Sequence, residues 1–203
     1  MIGARAVGAA AGVAALELDA ASIGPFLLSR PLVAGPLIGW LQGDAGTGAA
    51  IGVAFEAVSL AELPLGGRLE LSASVAAGTA AWLACGGILP SEAAFLAGLA
   101  AGFAHARVEA RLRRARGALA RSAEESLRSG RSPWLGAKIA SALTVQAAAT
   151  FAVALAAIAL AGAVGPALWS RLPELVRVGS RTAFIAAPWI GAGGLAATLM
   201  RRA

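Results

Sequence analysis

Apolar stretches alternate with short polar or Gly/Pro breaks along the whole chain. Few of these stretches show the one-sided pattern of a soluble amphipathic helix. Ala6 to Leu18 is an Ala-rich first stretch, opened by Arg5 and closed by Glu17 and Asp19. Gly24-Pro25 breaks the chain, and Phe26 to Leu28 lead to Ser29-Arg30. Pro31 to Gln42 then forms a run of about a dozen mostly apolar residues. Crossing a bilayer takes roughly 20, so this run predicts a re-entrant or interrupted helix. Asp44 to Gly48 reads as a turn. Ile51 to Leu63 is again short and apolar but holds Glu56 and Glu62, and Pro64 to Gly67 is a further break.

The second half reads more simply. Leu71 to Leu89 is predicted as a full span, with Gly86-Gly87 inside it. Pro90 and Ser91 look like a helix start, with Glu92 in the first turn where the helix dipole favours an acid. The helix from Glu92 to about His105 is predicted to leave the membrane and run into a charged stretch, 107–131. That stretch is itself predicted helical because Ala, Arg, Leu and Glu dominate it. Ile139 to Val164 is the longest apolar run, and Gly165-Pro166 is expected to end it. Leu168 to Val178, with Trp169, Arg171, Glu174 and Arg177, suits a membrane interface. Thr182 to Met200 is the last predicted span, before Arg201-Arg202. The expected fold is all-α: a polytopic membrane protein with transmembrane helices and interrupted or re-entrant segments, forming one domain over 1–203.

Composition supports that class. Only 14% of the 203 residues are charged, against about 25% in soluble domains, and the mean hydropathy is +0.74. Too little polar surface remains to cover a water-soluble globule. The net charge of +6 would raise nucleic-acid binding in a soluble protein. Here the basic residues gather between apolar segments, so topology accounts for them and no nucleic-acid partner is expected. Eight arginines against Glu109, Glu124 and Glu125 place the 107–131 stretch in the cytoplasm. Two spans later, Arg201-Arg202 return to the same side. Met1 to Leu18 is expected to stay as a membrane segment, since Glu17 and Asp19 stand where a signal peptide would be cleaved.

Candidate chemistry is sparse. The chain has one Lys, one His and no Tyr or Asn. No phosphate-binding loop, zinc-type cluster or nucleophile elbow is present. No enzymatic role, metal or cofactor is expected. Lone Cys85 reads as a packing residue and His105 as an interfacial one. The five tryptophans read mostly as an aromatic belt, and Gly191, Gly193 and Gly194 as sites of close helix packing. Glu56 and Glu62 are the acids of interest, because a carboxylate within a membrane segment is costly and points to function. They are about 1.7 turns apart, so a regular helix would splay them, whereas a broken one brings both to one cavity. Carboxylates accept hydrogen bonds from paired sugar hydroxyls. Asp44 and Arg30 complete the candidate substrate-binding set. The blander roles are a helix cap or Asx-turn for Asp44, an interfacial anchor or structural ion pair for Arg30, and for Glu56 and Glu62 a place at the water interface or a pair with Arg30 or Arg68.

The run Ser29-Arg30-Pro31-Leu32-Val33-Ala34-Gly35-Pro36-Leu37-Ile38-Gly39, leading to Gly43-Asp44, Thr47-Gly48 and Gly52-Val53-Ala54-Phe55-Glu56, resembles the IIC subunit of the mannose/fructose/sorbose family of bacterial sugar phosphotransferase systems. A looser resemblance, through Leu172-Pro173-Glu174-Leu175-Val176, extends toward the C-terminus. The resemblance implies a multi-pass permease subunit of the bacterial inner membrane. It would bind and translocate a hexose with a second membrane subunit, IID, and assemble as an oligomer. Phosphate would come from cytoplasmic IIB, charged by IIA, and IIC itself would not be phosphorylated. Two positions depart from the family pattern: Leu71-Ser72 where a Pro-Asp pair is usual, and Pro64 near a usual Asn. The chain also reads as lacking a final membrane segment. These departures keep open a scaffold or regulatory remnant that binds phosphotransferase partners without moving sugar. An unrelated small transporter is a third reading.

Overall fold

The computed structural model describes residues 3–19, 26–60 and 71–200. Within them the chain folds into seven α-helices and no strands: α1 (Ala4–Leu18), α2 (Pro31–Leu41), α3 (Ala45–Leu60), α4 (Ala73–Cys85), α5 (Ser91–Arg128), α6 (Leu135–Arg171) and α7 (Glu174–Met200). The all-α expectation holds. One described helix, α6, is both long and apolar enough to cross a membrane, while α2, α3 and α4 are apolar but short. Large apolar side chains on the outside of α6 and α7, such as Leu160, Leu168, Ile185 and Ile190, are exposed. A lipid solvent tolerates that surface at no hydrophobic cost.

The tightest packing is between α2 and α3. They form a hairpin closed by Gln42-Gly43-Asp44, with Gly43 at φ +85°. Gly35 and Gly39 on α2 face Gly48 and Gly52 on α3, each pair four residues apart. A methyl group built on Gly39 would lie 2.9 Å from the Gly48 Cα, and one on Gly52 would lie 2.5 Å from the Pro31 carbonyl oxygen. Gly35 and Gly48 meet through backbone as closely. The two backbones therefore touch directly, as small residues allow in lipid-embedded helices. The core continues through Ile38, Ile51 and Phe55 to Val75, Leu83 and Phe95. Phe55 stacks on Phe95 at 4.7 Å between ring centres, and Phe184 of α7 meets Phe95 edge-on at 5.5 Å. Gly191 packs α7 against the Ala57 backbone, as expected of it, but Gly193 and Gly194 have nothing within 4 Å of a built Cβ.

Several expected boundaries move. The 71–89 stretch does not span: α4 stops at Cys85. Gly87, at φ +65°, donates to the Ala84 carbonyl, and Ile88 N–H donates to that of Leu83. This is a Schellman stop that a glycine pair makes cheap. The expected turn over Asp44 to Gly48 is shorter, because Asp44 caps a helix that already starts at Ala45. Gly165-Pro166 does not end α6, which runs through Pro166 to Arg171. Gly165 has no Cβ to clash with the proline ring, and it seats on Leu89. The stop falls at Leu172, held extended by Pro173 (ψ 140°). The amphipathic segment expected over 168–178 is therefore divided between the end of α6 and the start of α7. Trp82 lies in the core rather than in an aromatic belt, whereas Trp40, Trp134 and Trp189 are exposed. Arg201-Arg202 fall outside the described residues.

Helices α5 and α6 run past the packed body as a two-helix arm. A second Schellman stop closes α5, with Gly130 at φ +69° and Arg131 N–H on the Ser126 carbonyl at 2.9 Å. At the base of the arm, Glu109 pairs with Arg113 at 3.2 Å and more closely with Arg116. Arg116 in turn donates to Gln146 of α6 at 2.6 Å. Burial disfavours the Glu109 charge, but the Arg116 guanidinium, the Gln146 amide and Arg113 outweigh it and hold the carboxyl below the ordinary glutamate range.

Two predictions follow from this packing. Gly48→Ala pushes a methyl into the Gly35 backbone and lowers stability by about 1–3 kcal/mol. Gly12→Ala meets only the end of Ile38 at 3.7 Å and is neutral or slightly stabilising. Thermal unfolding of the purified protein in detergent separates them. The depressed Glu109 pKa makes its contribution complete above the ordinary glutamate range and progressively lost as pH falls through the depressed value. Hydrogen exchange at 107–131 therefore rises in acid for the wild type, whereas Glu109→Gln shows raised exchange already at neutral pH.

Candidate functional site

A charged pair, Arg30 and Glu56, sits at the open end of the α2–α3 hairpin. Arg30 caps α2 in extended conformation and Pro31 begins the helix, a position where proline loses nothing because the first-turn N–H groups are free anyway. Glu56 reaches across from the end of α3. Its Oε1 accepts from Arg30 Nη1 at 3.1 Å, and its Oε2 accepts from the Leu32 N–H at 3.4 Å. The carboxylate thus occupies the positive end of a neighbouring helix, where free N–H groups and the dipole both favour an anion. The pair is open on one side: the Arg30 side chain is 52% exposed and that of Glu56 18%.

Asp19, just past α1, organises the approach to this pair. Its carboxylate accepts from the backbone N–H groups of Phe26 and Ser29, both at 3.2 Å, and from Ser29 Oγ at 3.4 Å. Between them Leu27 holds a left-handed φ of +65°, a costly conformation for a branched side chain. Asp19 therefore stabilises the bend that delivers Ser29-Arg30 to Glu56. The sequence reading used Asp19 to close the first apolar stretch and to argue against a signal peptide, not as part of a site.

The other candidates fall elsewhere. Asp44 lies at the closed end of the hairpin, about 17 Å along α2 from Arg30 by helical rise. Its Oδ1 accepts from the Thr47 N–H at 2.9 Å, which is an ordinary N-cap, and Cys85 Sγ donates to its carbonyl at 3.3 Å. Glu62, Pro64 and Arg68 lie outside the described residues. The structure thus brings together Arg30 and Glu56 and leaves Asp44 apart.

A second polar cluster was not foreseen. Glu17, near the end of α1, is buried and accepts from Ser72 Oγ at 3.3 Å and, more closely, from Ser74 Oγ. His105 of α5 is fully buried. Its Nδ1 lies 3.9 Å from Glu17, and its Nε2 is hydrogen-bonded to Thr150 of α6 at 2.9 Å. The expected interfacial role of His105 is therefore corrected: these five side chains tie α1, α5 and α6 to the segment that begins α4. The spacing of a Glu, a His and a Thr from three helices carries no local motif, so only packing reveals it. Ser72 is occupied here in holding Glu17. Among the described residues no three His, Cys, Asp or Glu side chains gather as a metal site.

Among the described residues, the half-open Arg30–Glu56 pair presents guanidinium donors and carboxylate acceptors side by side, with the Ser29 hydroxyl held nearby on Asp19. Short helices, a glycine-sealed hairpin and a polar pair at its open end define a membrane-embedded solute-handling subunit. The family described as the PTS system sorbose-specific IIC component matches residues 2–202. The chain belongs to that family, whose members are membrane transporter subunits and not catalysts. A solved structure described as that of a membrane protein has the same fold, with a TM-score of 0.76, 21% identity, and coverage of 100% of this chain and 81% of the other. No curated protein matches the sequence.

The two clusters differ in what they contribute to stability. Glu17→Ala leaves the buried Ser74 hydroxyl without its acceptor and costs about 1–3 kcal/mol. Glu56→Ala breaks a partly exposed pair and costs about 1 kcal/mol or less. Thermal unfolding in detergent gives the order.

Proposed function

We propose that the chain is the permease subunit of a phosphoenolpyruvate-dependent sugar phosphotransferase system. In this reading it sits as a multi-pass protein in the bacterial inner membrane and binds and translocates a hexose together with IID. IIB, charged by IIA, supplies phosphate to the sugar from the cytoplasm. The observation that carries the reading is the Arg30–Glu56 pair at the α2 N-terminus, beside a hairpin too short to span. A sugar with neighbouring hydroxyls can donate to the Glu56 oxygens and accept from Arg30, replacing their mutual contact with one of similar energy. The exchange leaves no charge bare, because the α2 N-terminus continues to face the carboxylate. Specificity then rests on the arrangement of hydroxyls that satisfies both groups at once.

The departure at Leu71-Ser72 and the engagement of Glu56 by Arg30 also support a second reading, a scaffold that binds phosphotransferase partners and moves no sugar. Uptake of labelled hexoses, with sugar-dependent phosphate consumption measured in the same membranes containing IIA, IIB and IID, tells the two apart. The permease reading expects both activities in the wild type. Glu56→Gln should lower uptake tenfold or more, by about the cost of a lost charged hydrogen bond, while the protein still inserts. Asp44→Asn, which keeps a capping side chain, should transport normally. Wild-type membranes that associate with IID yet consume no phosphate would leave only the scaffold.

A further inference from the structure

The arm formed by α5 and α6 has two unlike sides. On its inner side the charges are spent: Glu109 takes Arg113 and Arg116, and Arg116 reaches Gln146. Nearer the tip, Lys138 of α6 donates to Ser122 of α5 at 2.7 Å. These bonds hold the two helices together. On the outer side of α5, Arg107, Arg111, Arg114 and Arg121 recur at spacings of four, three and seven, all exposed. They lie within about 80° of one another around the helix and extend over roughly 21 Å. Arg111, Arg114 and Arg121 have no hydrogen-bond or ion-pair partner among the described residues, and Arg107 reaches only the Phe103 carbonyl at 3.2 Å. Arg116, half a turn away, faces α6. The one acid in register with the stripe is Glu125, at its far end.

From this we propose that the outer face of α5 is the docking surface for an acidic face of the soluble phosphocarrier IIB; the inference rests on the permease reading above. Charge complementarity identifies the occupant. Topology alone asks only for cations near the membrane, and it is indifferent to their being aligned on one side of a helix. A row of unpaired guanidiniums presents paired donors to carboxylates on an approaching protein. It also steers that protein toward the translocating subunit, where the phosphoryl group is needed.

The test uses the full chain with IID in nanodiscs of zwitterionic lipid and measures IIB binding at low and high salt. Wild type should bind IIB with an affinity that falls as salt rises. The triple variant Arg111→Gln, Arg114→Gln, Arg121→Gln should bind about tenfold more weakly and with a flatter salt dependence, at unchanged thermal stability. Should the triple variant insert poorly, Arg114→Gln alone should weaken binding by about two- to threefold. Unchanged IIB affinity in these variants would overturn the inference. So would a result in which only their attraction to nanodiscs of anionic lipid is lost, which would assign the stripe to headgroups. Sugar-dependent phosphate consumption by the wild type, measured alongside, keeps the two levels apart. Its absence sinks the permease reading, and its presence with unaltered IIB binding sinks only the docking surface.

Discussion

Direct backbone contact between α2 and α3 is the constraint on which the rest of the structure depends. In lipid, helix association gains little from hydrophobicity, and close approach of backbones is one of the main ways to gain dispersion energy. Four glycines arranged as two pairs permit that approach, and the short hairpin keeps it in register. The hairpin's closed end is sealed by the Asp44 cap. At its open end the first turn of α2 has N–H groups with no partner in their own helix. Glu56 answers that need from the other strand of the hairpin, and Arg30 balances the charge. The candidate binding pair is thus also the finishing contact of the fold, which keeps a half-buried carboxylate without a large stability penalty.

The same economy appears around Glu17. A buried carboxylate is tolerable only when its oxygens are occupied, and two serine hydroxyls with His105 nearby meet that condition. The cluster fixes α1 against α5 and α6, while the glycine contacts fix α2 against α3. Phe55, Phe95 and Phe184 join the two halves. Polar contacts and backbone contacts therefore divide the work, with ordinary apolar packing between them.

Much of this was readable from residues alone. The helical class, the short α2, the start of α5 at Pro90-Ser91 and its continuation through the arginines all follow from composition and period. Arg30 and Glu56 could be singled out because charges are costly in apolar segments. Three kinds of feature were not readable. Helix stops at Gly86-Gly87 and continuity through Gly165-Pro166 depend on which neighbour fills the space, since the same residue types end one helix and not the other. The burial of His105 and Trp82 depends on how helices distant in sequence pack. The role of Asp19 depends on a bend with one left-handed residue: Gly24-Pro25 marks a break just before it, but nothing in the sequence puts the left-handed turn at Leu27.

The glycine seam also separates two tasks that share one segment. Because glycine backbones make the closest contacts between α2 and α3, those contacts do not depend on the residues that point outward. Leu32, Val33, Leu37 and Val53 are exposed on the outside of the hairpin and can vary in size or polarity without shifting the contact beneath them. Such a hairpin can change its outer surface while its scaffold stays intact, so that surface chemistry and foldability evolve on different residues of the same two helices.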